Sequence, residues 1–361
     1  MKKNFLKNAC IACVSLLLLI AAFSGCTSSN TPTVVADQTK LTALVDSCTS
    51  LLASSTVTTD YPAAAITAFQ TVLTATKTAA LTKTITQTAV DNLVVNLRAA
   101  ETTFLAAAYG AIPKTALLMG MTFDETVTGG QFTTEGKPWT AVLKAGPSEI
   151  FGTATNLPSF VTGKVGKAIY LSNGSHLEIN NYTASDLLGK QLSIAVWVKP
   201  DSTRGGNYIL SYNYWNSWKF QLQEQNKPFF TIHTNADGWV DADNQADNSA
   251  PNKAWTHLVV TLNMDTKIMT FYVNGASTMV WNATTKPGLT GTGAWVYKNT
   301  LPLMVGACTT YAEANAEWTS WVWARTPAVW DGFIGALDEL KLYNVALTDG
   351  QVSKLYKDEN K

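Results

Sequence analysis

AWTHLVVTLNMDTKIMTFYVNGASTMVW, residues 254–281, is the stretch whose reading decides the fold of this chain. Its apolar and β-branched runs at 255–263, 268–274 and 276–281 have strand length and strand composition. Asn274 and Gly275 stand between FYV and ASTMVW. Both central residues of a type I′ turn must tolerate positive φ, and this pair does, so the segment predicts a tight antiparallel hairpin. Working outward, similar short runs at 116–123, 167–171, 176–179, 192–199, 207–212, 217–223, 228–233, 301–306 and 333–343 are separated by turn residues. Short strands so punctuated predict an all-β jelly-roll sandwich over residues 113–361.

Upstream the period changes from two to that of a helix. Leu41, Leu44, Val45, Cys48, Leu51 and Leu52 repeat at helical spacing, as do Ile66, Phe69, Val72 and Leu73, and then Val90, Leu93, Val94, Leu97, Ala100, Phe104 and Ala107. Three amphipathic helices, each with one apolar stripe, predict a small three-helix bundle over residues 38–112. Pro113 closes it, because proline cannot continue the hydrogen-bond ladder and biases Ile112 toward extended backbone. The stretch YPAAAITAFQTVLTATK (61–77) resembles the FIVAR-like helical spacers of envelope proteins, which implies a stalk rather than a reactive domain.

The N-terminus reads as an export signal over residues 1–25. Lys2, Lys3 and Lys7 form a charged head before an apolar run from Ile11 to Phe23 that is too short to span a bilayer. Phe23, Ser24, Gly25 and Cys26 resemble the bacterial lipobox, with Phe23 where a branched aliphatic residue is commoner. Lipidation of Cys26 would anchor the chain to a membrane, each buried methylene contributing about 0.8 kcal/mol. Residues 26–37 then form a small, polar, flexible tether. The expected location is the cell envelope, as an outer-membrane lipoprotein of Bacteroidetes type. The tether has no acidic residue before Asp37, so its face of that membrane stays open.

Composition narrows the function classes. The formal charge is zero and charged residues make up 14% of the chain, against about 25% in an average soluble protein, so nothing steers it toward nucleic acid. Once Cys10, Cys13 and Cys26 are set aside, only Cys48 and Cys308 remain, and buried free thiols are expected. All 12 tryptophans lie from Trp139 onward.

The segments LSIAVWVKP (192–200), AWTHLVVTLN (254–263), MTFYVNG (269–275), LPLMVGA (301–307) and GFIGALDELKLYNVALTDGQVSKLY (332–356) occur in an order that resembles the laminin-G-like jelly rolls of the concanavalin A-like lectin and glucanase superfamily. The resemblance spans residues 116–357. It implies two stacked antiparallel sheets, used for sugar binding, adhesion or glycan cleavage. Trp197, Trp255, His257 and Tyr343 fall on the family's core pattern, so packing is the expected role of each. The resemblance also implies a calcium site, with Asp124 of TFDE and Asp338 on the last strand as oxygen ligands. By strand parity Asp338 would share a face with Ala336, Leu340 and Leu342, burying a carboxylate that needs a partner.

Cleavage by the glucanase branch requires two or three carboxylates on one strand face in an E-x-D-x-x-E type run, and none occurs. No nucleophile elbow, zinc helix or phosphate loop occurs either, and the Gly163–Lys167 stretch is a lysine-bearing turn. The acidic run DADNQADN (241–248) lacks the glycine and glutamate of an EF-hand loop, so a solvated loop is expected there.

Aromatic residues are the remaining chemical signal, since indole and phenol planes stack on the C–H faces of sugars. Tyr212, Tyr214, Trp215 and Trp218 lie close to Trp239 in sequence, and Trp318, Trp321, Trp323, Arg325 and Trp330 fill a long insertion. These residues are the candidate carbohydrate-binding set. The expectation is a noncatalytic glycan-binding lipoprotein with a polysaccharide or glycan partner. The alternatives are an adhesion or structural module that binds an envelope protein, and a hydrolase whose site is assembled from loops.

Overall fold

The structure is a computed structural model that describes residues 35–82, 84–187, 189–291, 294–296, 301–317 and 330–361. Cys26, the export signal, most of the tether, and Trp318, Trp321, Trp323 and Arg325 lie outside the described residues.

The N-terminal region consists of α1 (Thr39–Leu52), α2 (Ala63–Ala80) and α3 (Gln87–Ala106), with a one-turn helix, Val57–Asp60, before α2. Leu44, Cys48, Phe69, Leu73, Leu97 and Phe104 form its core. Tyr61 and Phe69 stack on Phe104 with ring centroids 4.0 and 4.7 Å away. Threonine is a poor helix former, yet Thr67, Thr71, Thr74, Thr76 and Thr78 each return their hydroxyl to the carbonyl four residues back, which satisfies it within the helix. The Thr86 side chain caps α3 by accepting from Ala89 N–H.

The strands in chain order are β1 (Leu117–Met121), β2 (Gln131–Thr133), β3 (Glu135–Gly136), β4 (Thr140–Lys144), β5 (Ser159–Thr162), β6 (Lys167–Leu171), β7 (His176–Asn180), β8 (Gln191–Pro200) and β9 (Asn207–Tyr212). They continue with β10 (Trp218–Gln223), β11 (Lys227–Thr234), β12 (Gly238–Asp243), β13 (Thr256–Asn263), β14 (Ile268–Val273), β15 (Ala276–Asn282), β16 (Leu303–Val305) and β17 (Gly335–Tyr343). Two antiparallel sheets result. The first runs β15-β14-β13-β8-β17-β1-β3 with β6 also on β17 and β5 on β6, and the second runs β12-β11-β10-β9-β16-β7-β4-β2. The expected jelly-roll sandwich is therefore present. Its hairpin turn has Asn274 at φ 50° and Gly275 at φ 78°, as a type I′ turn requires.

Between the sheets pack Trp139, Ile194, Val196, Tyr212, Trp218, Phe220, Phe230, Val260, Phe271, Phe333 and Leu342, among others. Both outer faces are partly covered as well. The C-terminal helix α4 (Asp349–Glu359), opened by a capping box at Thr348 and Gln351, lies on the first sheet. There Val352 joins Ala195, Val259, Tyr272 and Tyr343 in a satellite core. Trp197 and His257 lie under the same helix, their rings 5.6 and 5.8 Å from Tyr356, which gives both the packing role expected of them. The helical region meets α4 too, with Asp60 Oδ1 3.2 Å from Lys354 Nζ.

One expectation about the last strand is overturned. The pairing of β17 with β8 shifts register between Asp338 and Lys341, and Glu339 sits at φ 49°. This bulge inserts a residue and reverses parity. Leu337, Leu340 and Leu342 face the core while Asp338 does not share their side. Asp338 is nonetheless fully buried.

Candidate functional site

The outer face of the second sheet carries the chemistry. Its inward residues on β10 to β12, Trp218, Phe220, Phe230, Ile232, Val240 and Ala242, are core. Alternation therefore turns Lys219, Gln221, Thr231, His233, Trp239 and Asp241 outward. Strand pairing aligns Asp241 with Thr231, Thr231 with Lys219, Lys219 with Ser211, Ser211 with Met304, and Met304 with Glu178. This row crosses six strands from β12 to β7, about 24 Å at the usual interstrand spacing.

At the β12 end, Trp239 is 62% exposed. Its Nε1–H donates to the Trp215 carbonyl at 2.7 Å, and its ring lies 5.2 Å from the His233 ring at 41°. The indole is thereby fixed at its polar edge and open on its plane. Trp215 is partly exposed beside it. Two residues on, the Asp241 carboxylate accepts from Thr231 Oγ1 at 2.6 Å and stays exposed. An apolar plane next to a carboxylate on one strand face suits a ring with apolar C–H groups and hydroxyls at its edge.

The centre of the row is occupied by the protein itself. Lys219 is 1% exposed. Its Nζ lies 4.7 Å from the centre of Phe229, 4.9 Å from Trp215, 5.3 Å from Tyr214 and 6.0 Å from Tyr208. It donates to Gln221 Oε1. Burial pushes its pKa down to about 7, against the pull of Asp241. Tyr208, Tyr214, Cys308, Ala314 and Trp330 pack over this region as a second small core. Cys308 is a free thiol pushed up to about 12 by burial, and Cys48 is likewise free and buried.

This arrangement corrects the sequence-based site. Tyr212 and Trp218 point inward from β9 and β10 into the sandwich. Tyr214 and Trp330 are 6% and 5% exposed because they roof the outer face over Lys219. None of these four offers a free ring plane. Trp239 does, and Trp215 in part. The strand that carries Trp239 was missed, and so were Asp241 and Asp243 as strand residues, since DADNQADN read as loop throughout. The alternation in GWVDAD (238–243), with Val240 and Ala242 inward, was the available signal.

At the β7 end lies a cavity of about 360 Å³ lined by Lys144, Glu149, His176, Glu178, Thr310, Tyr311 and Trp330, with further backbone around it. Glu178 Oε1 is 3.8 Å from His176 Nε2 and Oε2 is 3.5 Å from Lys144 Nζ. The neighbouring His176 ring and the Lys144 charge hold the Glu178 carboxyl below the usual range against its burial.

The two aspartates implied as calcium ligands are otherwise engaged. Asp338 Oδ2 accepts from the backbone N–H groups of Lys164 and Val165 at 2.8 and 2.9 Å, and its Oδ1 accepts from Glu339 N–H at 2.8 Å. Asp124 Oδ1 accepts from Lys167 N–H at 3.0 Å. Together they clamp the Gly163–Lys167 turn from its two ends. Burial pushes the Asp338 pKa up to about 7 although these N–H donors oppose it. Among the described residues no group of three or more His, Cys, Asp or Glu could hold a metal ion. Two aspartates so engaged, with no third acid grouped with them among the described residues, fall short of the about six to eight oxygens that calcium takes.

The exposed indole thus stands on the outer face of a two-sheet antiparallel jelly roll. Residues 171–307 match the family described as the concanavalin A-like lectin/glucanases superfamily. Among solved structures the chain is similar to domain 4 of AbnA, a GH43 extracellular arabinanase from Geobacillus stearothermophilus, in complex with arabinotriose. That likeness has 17% identity and a TM-score of 0.46, covering 67% of this chain and 98% of that one. It is also similar to the binding domain of Paraclostridial Mosquitocidal Protein 1, at 15% identity and TM-score 0.46 over 68% of this chain and 52% of that one. A third is the botulinum neurotoxin serotype D ligand binding domain in complex with N-acetylneuraminic acid, at 10% identity and TM-score 0.45. The match spans 68% of this chain and 51% of that one, about half the toxin domain's length. No curated protein matches.

Proposed function

We propose that this chain is a noncatalytic glycan-binding lipoprotein of the cell envelope, anchored through Cys26 and lifted from the membrane by its helical region. The observation that carries the reading is the exposed Trp239 indole, held by Trp215 and His233, with the Asp241 carboxylate on the same strand face. Stacking on the indole would supply apolar contact, and Asp241 would accept from ring hydroxyls. Affinity electrophoresis through gels of plant, host and microbial polysaccharides tests it. At least one glycan should retard the protein, and Trp239→Ala should weaken binding about tenfold, near 1.4 kcal/mol. The same retardation in Trp239→Ala and parent, or none with any glycan, would sink the reading. Fractionation of Cys26→Ser cells tests the anchor, the variant being expected to leave the membrane fraction.

A second reading is favoured by one observation. Asp241 and Asp243 alternate outward on β12, their Cα atoms about 7 Å apart at strand spacing, and a pair of carboxylates is what cleaves glycosides. Asp243 Oδ1 already accepts from Gln245 N–H at 2.8 Å, in the turn beyond the strand. Release of reducing ends from a bound glycan, lost in Asp241→Asn, would favour cleavage over simple binding.

A further inference from the structure

The cavity at the β7 end has a chemistry distinct from the open indole at the β12 end. Its floor is Glu178, flanked across the sheet by Lys144 on β4 and along its own strand by His176. The two contacts to Glu178, 3.5 and 3.8 Å, are longer than hydrogen bonds, so both carboxylate oxygens keep acceptor capacity. Lys144 Nζ keeps donors, since its contact to Glu178 is that same long one. His176 Nδ1 lies 2.8 Å from the Gly174 carbonyl, which can only accept, so Nδ1 carries a proton and Nε2 is left toward Glu178.

One wall is aromatic, with Tyr311 5.2 Å from Trp330 at 64°. The end of the cavity is closed by a close approach of chain segments. A Cβ at Gly174 would stand 2.7 Å from both Phe151 Cε2 and the Trp330 carbonyl, and Gly174 is at φ 73°. Only glycine lets these segments meet there. The cavity is therefore blind at one end, and its volume falls within the range of about 300–1,000 Å³ typical of small-ligand sites.

A carboxylate and an ammonium side by side form the complement of two adjacent hydroxyls, one donating to the anion and the other accepting from the cation. We infer that this cavity is a second glycan site, which takes the terminal sugar residue of a chain by a vicinal diol held between Glu178 and Lys144, with Tyr311 against the ring. The inference rests on the glycan-binding reading but on none of its residues. Trp239 would accept any stretch of a chain across its open plane, whereas a blind pocket admits only an end.

Isothermal titration of the full chain with a panel of methyl glycosides of common hexoses and pentoses, and with their singly deoxygenated forms, tests this inference. At least one methyl glycoside should bind. Its affinity should fall at least tenfold on deoxygenation at either of two adjacent positions, and by a similar factor in Glu178→Gln, with Trp239→Ala unchanged. Polysaccharide retardation should persist in Glu178→Gln, and an unchanged melting temperature confirms that this variant is folded. Monosaccharide binding that is insensitive to Glu178→Gln, or no binding by any methyl glycoside while the polysaccharide gel still retards the parent, overturns the pocket and leaves the Trp239 reading standing. Loss of monosaccharide binding in Trp239→Ala overturns it as well, because the ring would then sit on the indole.

Discussion

Lys219 Nζ lies 4.9 Å from the centre of the Trp215 ring, and the Trp215 carbonyl receives the indole N–H of Trp239. A buried amine thus stands beneath the exposed indole through one intervening residue. Its proton affinity couples to folding. Burial sets the folded pKa at about 7, whereas an unfolded lysine titrates near 10.4. Between those values the unfolded chain binds more protons, so stability rises as pH climbs from 7 and is lost as pH falls back through 7. Relative to Lys219→Met, the parent should gain about 2 kcal/mol in urea unfolding between pH 7 and 9. Parallel curves for the two proteins would contradict the buried amine.

His257 makes an excursion of the same sign visible in acid. Both of its ring nitrogens are buried without a hydrogen bond, and burial, aided by the Lys341 cation, lowers its pKa to about 3. The ring is therefore neutral, and its 3.7 Å approach to Glu359 is not an ion pair at neutral pH. The unfolded chain protonates near pH 6.5, so this group's contribution is present above that value and is lost as pH falls toward 3. At pH 5 the loss amounts to about 2 kcal/mol. His257→Phe should flatten the decline of melting temperature between pH 7 and 5, and an unchanged slope would refute the assignment.

Lys341 bridges two buried carboxylates, Glu339 at the β17 bulge and Glu359 near the end of α4, and Glu359 also accepts from Trp197 Nε1 at 2.8 Å. These contacts raise the Lys341 pKa despite its burial. Lys341→Met would leave two buried acids unpaired, at a cost of about 3–5 kcal/mol. Protease nicking within residues 349–359 should increase in step with that loss, because the cation ties α4 to the sheet. Stability within 1 kcal/mol of the parent, about a fivefold change in the folding equilibrium, would argue against that tie.

Asp338 should matter for the turn it holds and not for calcium. Asp338→Ala removes the acceptor of three backbone N–H groups and should cost about 2–3 kcal/mol. Chelator should leave the melting temperature of the parent unchanged. A chelator-induced fall that Asp338→Ala abolishes would restore the cation.

The strand set, the hairpin at Asn274–Gly275 and the helical region were legible because each rests on local periodicity or on turn chemistry. The β17 bulge was not. Parity across Asp338 to Leu342 changes through the left-handed Glu339, a conformation unusual for that residue and unmarked by any local signal. The aromatic site was legible in part. Tryptophan density located the region, but the same ring type serves the sandwich interior at Trp218, the roof over Lys219 at Trp330, and the surface at Trp239.

By itself the sequence determined the class of fold and the kind of side chain available to bind, because strand alternation, turn residues and composition act over a few neighbouring positions. Only the tertiary structure decided which rings are free and which acids are engaged. Exposure of Trp239, burial of Lys219 and the pairing of Asp338 with a turn more than 170 residues away depend on what packs over each face. Such long-range packing is set by sheet order and register, which one-dimensional spacing does not encode.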